Sequence, residues 1–210
     1  MEEIIVTAQK REQSLEDVPA SVSTISGDSV NDYLGSAENI RALAGRVPSL
    51  QIESSNGRTQ PRFYIRGLGN IDFDNNANQP VAMVFDEVAL ENNVLRSLPL
   101  YDIERVEVLK GPQGTLFGRN TNAGAVKIDS VKPSFDFDGY AALSYGERNT
   151  TGLEFAAGGA LTDTLAARIA VKRQSRDNWI NNLAANTPGD DFGKFDETAM
   201  RLLLLCQPSD

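Results

Sequence analysis

The chain has 210 residues, no histidine and one cysteine, Cys206. Without an imidazole, Ser-His-Asp and Cys-His catalysis are excluded, and so are most zinc sites. One cysteine excludes an intrachain disulfide. Asp72, Asp74 and Asn76 have the first three side-chain spacings of a calcium loop. Ala77 then stands where that loop needs glycine, and Met83 where it needs a bidentate glutamate, so a calcium hand is rejected. Gly111-Pro112-Gln113-Gly114 lacks the Gly-Lys-Ser/Thr ending of a phosphate-cradling loop. The acidic residues show no spacing that marks an acid–base pair. No metal, no cofactor and no enzymatic activity are expected. With 29 acidic and 20 basic residues, a formal net charge of -9, the chain gains little from neutralising phosphates. Nucleic acid is therefore not an expected partner.

What remains are residues suited to binding. Ile4, Ile5, Val6 and Thr7 form a β-branched run that favours extended backbone, and charged residues flank it. Read alone, such a run is the first strand of the domain's own sheet. Residues 70–79 form a polar loop that includes Asn70, Asp72, Asp74, Asn75 and Asn76. Such a loop is either plainly solvated or a contact surface.

The elements that must position these groups come in two textures. Before Lys132-Pro133, short strands are expected at 20–25, 49–53, 62–66, 81–85, 103–109 and 125–129, with Gly, Asn and Pro clusters between them. In 103–109, Val106 and Val108 share one face, with Arg105 and Glu107 on the other. Two short helices are expected after the first of these strands. Asp28 or Ser29 caps the first, which turns Val30, Tyr33 and Leu34 inward and ends at Gly35. Ser36 caps the second, with Ala37, Ile40, Leu43 and Ala44 inward. Gly67, Gly69, Gly111, Gly114, Gly118 and Gly124 are read as backbone requirements.

From Gly139 the pattern has period two. Ala141, Leu143 and Tyr145 form one apolar set; Leu153, Phe155 and Ala157 the next; then Leu165, Ala167, Ile169 and Val171; then Met200, Leu202, Leu204 and Cys206. A soluble sandwich and a membrane barrel both alternate in this way. The connection at 162–164 is tight and the one at 174–197 is long and polar, which fits a barrel with long loops outside. Leu153, Phe155, Ile169 and Val171 are expected on one lipid-type face. No apolar run approaches the roughly 18 residues of a membrane-spanning helix. Met1 is followed directly by Glu2, with no basic and apolar leader pattern.

Several blocks in order carry a family resemblance. They are EEIIVTAQK at the start, LEDVPASVSTISGDSV, IRALAGRVPSL, YIRGLG, PVAMVFDEV and DIERVEVLKGPQGTLFGRNTNAGAVKI. Together they closely resemble the plug of TonB-dependent outer-membrane receptors, over about residues 2–132. From Asp138 onward the chain is similar to the first barrel strands of that family.

The resemblance implies an α+β plug domain followed by antiparallel β strands of an incomplete transmembrane β-barrel. Residues 1–17 would be the TonB box and linker, 18–132 the plug, and 133–210 the first barrel strands. It makes Ile4, Ile5, Val6, Thr7 and Ala8 the segment that binds the periplasmic domain of TonB by strand addition. Residues 3–9 are then expected to be free and unpacked, with order from about Val18. Arg66, Glu107 and Arg119 would form a polar cluster between plug and barrel wall, since buried charges need partners. Asn70, Asp72, Asp74, Asn75 and Asn76 would form an apex loop that touches substrate. The implied function is import of a scarce nutrient, an iron–chelate complex, through the outer membrane of a Gram-negative bacterium. The plug gates the barrel, TonB supplies energy and outer-membrane lipid surrounds it. The alternative is a free-standing plug-like module that captures TonB or ligand without transport. Two features depart from the family. Lys127 stands where a small or amide residue is common, and four strands cannot close a barrel, which marks a truncated receptor.

Overall fold

Alternating blocks become strands, and hydrogen bonding sorts these strands into separate sheets. A computed structural model describes residues 4–34, 39–72, 74, 77–183 and 192–208. They fall into two compact units that divide at Ser130 and Val131.

In the first unit, β3 (Ser21–Ser26), β8 (Ile103–Lys110), β9 (Gly124–Ser130), β6 (Val81–Phe85) and β7 (Val88–Ala89) hydrogen-bond in that order into one sheet. β8 is antiparallel to β3 and β9, and β6 runs parallel to β9. β4 (Leu50–Glu53) and β5 (Arg62–Ile65) form a separate antiparallel pair. Alternation decides what each face of the five-stranded sheet buries. Val106 and Val108 of β8, Val126 and Ile128 of β9, and Val81 and Met83 of β6 point one way. They pack in the main core with Val30, Ile40, Leu43, Leu50, Ile52, Phe63 and Ile65. The opposite face carries Ala82, Leu109 and Ala125, which cluster with Val6, Ala8 and Val18 from the start of the chain.

α1 (Gly27–Leu34) supplies Val30 to the core, as its spacing implied. The side chains of Tyr33 and Leu34, and Gly35, Ser36 and Ala37, lie outside the described residues. The second helix differs from expectation. It is a 3-10 turn, Ile40–Gly45, and its described cap is Asn39, whose side chain accepts from the Arg41 N–H at 3.0 Å. Ile40 and Leu43 are still the buried positions, because a three-residue repeat also places them on one side.

Gly124 is required by the fold. Its φ is +148°, and a Cβ there would stand 2.2 Å from the Leu109 carbonyl oxygen. Gly114, expected to matter in the same way, does not. It opens α2 (Gly114–Phe117) with no atom nearer than 3.9 Å to its missing Cβ.

In the second unit, β10 (Asp138–Gly146), β11 (Thr150–Thr162), β12 (Leu165–Arg176) and β13 (Phe195–Cys206) form an antiparallel meander in chain order. The register places Leu143 opposite Leu153, Phe155 opposite Val171, Val171 opposite Met200 and Ile169 opposite Leu202. Directly opposed residues share a face, so the expected apolar face is present. It is open: Leu143 is 83% exposed and Met200 72%. The other face carries Glu154, Arg168 and Lys172, joined as Lys172–Glu154 at 3.3 Å and Arg168–Asp138 at 3.2 Å. Apolar residues outside and paired charges on the reverse face invert the pattern of a water-soluble sheet and match a membrane barrel wall. The strands are longer than alternation implied. β12 and β13 extend to Arg176 and back to Phe195, and an Ile180–Phe192 bridge further narrows the expected long loop. Backbone ladders continue through polar residues, where hydropathy gives no sign of them.

Candidate functional site

The expectation of a free amino-terminal segment is overturned. β1 (Ile5–Val6) pairs antiparallel with β2 (Gln13–Ser14), Ile5 opposite Ser14 and Val6 opposite Gln13. Val6 and Ala8 are fully buried. The pair is a small sheet of its own, not a strand of the main sheet. The physical reason is that the segment has a partner after all. Leu109, Ala125 and Ala82 leave an apolar patch on the second face of the main sheet, and Val6 and Ala8 cover it.

Beside that patch lies a buried charge cluster. Glu107 and Lys127 face each other across β8 and β9. Thr7 donates its backbone N–H to Glu107 Oε1 at 2.7 Å. The Lys127 ammonium donates to Thr7 Oγ1 at 2.8 Å and reaches Asp129 at 2.6 Å and Glu87 at 3.1 Å. Arg105 Nε lies 3.3 Å from Asp129 and 3.8 Å from Glu107, and its NH1 donates to the Ile5 carbonyl at 3.4 Å. Burial pushes the Glu107 carboxyl above the ordinary carboxylate range; the Thr7 N–H and the Lys127 charge oppose this. For Lys127, burial pulls the other way, but the hydrogen bonds and charges of Asp129 and Glu87 outweigh it. The ammonium is held above its usual value. The signal for this cluster was present in the sequence: β8 and β9 each place charges at alternate positions within apolar blocks.

Arg66, Glu107 and Arg119 are not drawn together. Glu107 lies in the cluster just described. Arg119 is exposed and forms a two-pronged pair with Glu91, Nε to Oε1 at 2.7 Å and NH2 to Oε2. That pairing raises the Arg119 pKa and lowers that of Glu91. Arg66 is exposed with φ +52°, its guanidinium 3.9 Å from where a Cβ on Gly111 would stand. The resemblance placed Arg66 in one block and Glu107 and Arg119 in another, and the fold gives each of the three side chains different neighbours.

The apex loop is organised by its own side chains. Asn70 Oδ1 accepts from the Asp72 N–H and Asp72 Oδ1 from the Asp74 N–H, both at 2.9 Å. Asn70 Nδ2 donates to the Asn78 carbonyl at 2.9 Å. Arg62, from β5, donates to the Ile71 carbonyl at 2.8 Å. The Tyr64 ring lies against Gly69, where a Cβ would be 1.9 Å from it, and its hydroxyl donates to Glu53 at 2.6 Å. Burial and that bond push the Tyr64 pKa up to about 12. Asn75 and Asn76 lie outside the described residues.

Known proteins resemble this chain in sequence and in fold. Residues 14–125, more than half of the chain, match the TonB-dependent receptor plug domain family. The vitamin B12 transporter BtuB of Vibrio vulnificus (strain CMCP6) is 31% identical over 169 residues, 75% of this chain and 26% of the transporter. The pesticin receptor of Yersinia pestis is 29% identical over 213 residues, 99% of this chain and 30% of the receptor. The crystal structure of the ferric yersiniabactin uptake receptor FyuA from Yersinia pestis matches with a TM-score of 0.77 at 26% identity. That match covers 90% of this chain and 29% of that one. The chain spans less than a third of the length of these relatives. A plug unit followed by four strands patterned as a barrel wall, in a chain whose relatives are transport receptors and not enzymes, therefore belongs to the TonB-dependent receptors of the Gram-negative outer membrane.

Proposed function

We propose that the chain is the amino-terminal portion of a receptor that imports an iron–siderophore type complex. In this reading the plug gates the barrel and TonB supplies the energy. The observation that carries it is the inverted patterning of β10–β13: exposed Leu143, Met200, Leu202 and Leu204 on one face, ion-paired Arg168 and Lys172 on the other. A free-standing module would leave that apolar face in water. The iron-chelate class is supported by likeness to a ferric yersiniabactin uptake receptor over 90% of this chain. Residues 4–8 would bind the periplasmic domain of TonB. Asn70, Asp72, Asp74, Asn75 and Asn76 would meet the substrate. Arg66 and Arg119, both exposed, would face the barrel wall of the whole receptor.

Deleting the gene in the bacterium that encodes it tests this function. Growth on ferric chelates as sole iron source should fall, and cobalamin-dependent growth should not. The reverse result would overturn the substrate class.

A further inference from the structure

Backbone groups at each of Ile4, Ile5, Val6 and Thr7 are already hydrogen-bonded. Ile5 and Val6 pair with Ser14 and Gln13. The Ile4 carbonyl accepts from the Leu15 N–H at 2.8 Å, and the Thr7 carbonyl from the Lys10 N–H at 2.9 Å. The Thr7 N–H is taken by Glu107. Strand addition needs unpaired backbone groups, so a partner that adds to this segment has to displace these bonds first.

We propose that Lys127 is the positioning residue that holds this segment closed, so that a strand-adding partner competes with the plug for residues 4–8. The partner side of this statement rests on the TonB reading above. An ammonium has three hydrogens. Those of Lys127 meet Thr7 Oγ1, Asp129 and Glu87. One side chain thus ties the segment, β9 and the β6–β7 turn together. It also neutralises Glu107 and Asp129, whose oxygens both reach Thr7. Arg105 is the second cation of the cluster, but it sits at longer range, 3.3 Å from Asp129 and 3.8 Å from Glu107. Without Lys127, two carboxylates would crowd Thr7 with that one guanidinium between them, and the closed state would weaken.

The test compares the full chain in detergent with a synthetic peptide of residues 1–17, each titrated with purified TonB periplasmic domain. The peptide has nothing to displace. It should bind about tenfold or more tighter than the chain, the equivalent of one charge-assisted hydrogen bond. Lys127→Met should narrow that gap, and so should Thr7→Val. The double variant should narrow it by less than the two single changes summed, because the two share one contact. Hydrogen exchange gives a second readout that does not depend on TonB. In Lys127→Met the amides of Val6, Thr7 and Ala8 should exchange at least about tenfold faster, while β8 and β9 stay protected. If Lys127→Met does not fold, Thr7→Val alone should show the same selective exchange. Equal affinity of chain and peptide would overturn the proposal. So would a gap, or a Thr7 exchange rate, that these substitutions leave unchanged. If the peptide itself fails to bind, the TonB reading falls, and the exchange measurement alone decides whether Lys127 closes the segment.

Discussion

Thr7 and Glu107 are a hundred residues apart in sequence and joined by a 2.7 Å hydrogen bond from backbone N–H to carboxylate. The bond fastens the amino-terminal segment to the second face of the main sheet. It also gives a buried carboxylate a backbone donor that the sheet cannot supply, since β8 spends its N–H groups on β3 and β9, and β9 on β8 and β6. The segment and the cluster are thus mutually dependent.

That dependence has a pH signature. The folded state raises the pKa of Glu107, so its contribution to stability is fully present below the ordinary carboxylate value and is lost as pH rises through the folded value. Lys127 is also raised, so its contribution is fully present below the ordinary lysine value and is lost only in more alkaline solution. Removing the ammonium takes away one of the groups that holds the Glu107 carboxylate ionised. Lys127→Met should therefore lose more stability than the parent chain as pH rises from the ordinary carboxylate range toward neutrality. Urea denaturation across that range measures it. Parallel curves for the two proteins would show that Lys127 does not neutralise Glu107.

Two glycines make an internal control for backbone demand. Gly124→Ala places a Cβ 2.2 Å from the Leu109 carbonyl oxygen and 2.8 Å from Ile65 Cδ1, at φ +148°. Strain and overlap together should cost about 3 kcal/mol or more and leave little folded plug. Gly114→Ala meets nothing nearer than 3.9 Å and lies at a helix start. It should change stability by no more than about 1 kcal/mol. Denaturation midpoints of the two variants, side by side, check the contrast.

Much of the plug was legible because its strands are short, alternating and set off by Gly, Asn and Pro. β6 falls on the expected 81–85, and β8 and β9 within a residue of expectation. The apolar wall of the second unit was legible for the same reason. The fate of residues 4–8 was not. Their β-branched run specifies extended backbone, but what they pair with depends on a patch built from β6, β8 and β9, more than seventy residues away. The charge cluster was half legible: alternation put Arg105 and Glu107 on one face and the family resemblance singled out Lys127, but only the register sets Glu107 opposite Lys127. Arg66 and Arg119 show the limit of motif order, since adjacent motifs need not converge in space.

The barrel-wall assignment predicts an asymmetry between neighbouring positions of β13. Leu202 lies on the apolar face and is 62% exposed; Leu205 lies on the reverse face. In a closed receptor, Leu202→Arg should cost about 2–4 kcal/mol near the bilayer midplane. In the chain itself it should shift protein from the detergent phase to the aqueous phase in a cloud-point partition. Leu205→Arg should shift it far less. Equal shifts would mean that the two faces meet the same solvent, as in a soluble sheet.

The 210-residue chain, expressed alone, should capture TonB and transport nothing. Capture needs only the segment at residues 4–8, once it has left the sheet. Val6→Pro removes a backbone donor and fixes φ, so it should weaken TonB binding more than Val6→Ala. Val6→Ala also removes two methyl groups from a fully buried site against Val18, Leu109 and Ala125, which loosens the docked state that competes with binding. The two variants therefore separate the backbone from the side chain. Transport is a different matter. β10 and β13 are each hydrogen-bonded on one side only among the described strands. A bilayer cannot satisfy open strand edges, and barrels of this transporter size have about 22 strands. Calorimetric titration with the TonB domain checks the first half, where an absence of binding by both the chain and Val6→Ala would refute it. Uptake of a labelled ferric chelate by cells that lack their own receptors checks the second. Energy-dependent uptake with this chain as the sole receptor would refute it, and would require several chains to complete one barrel.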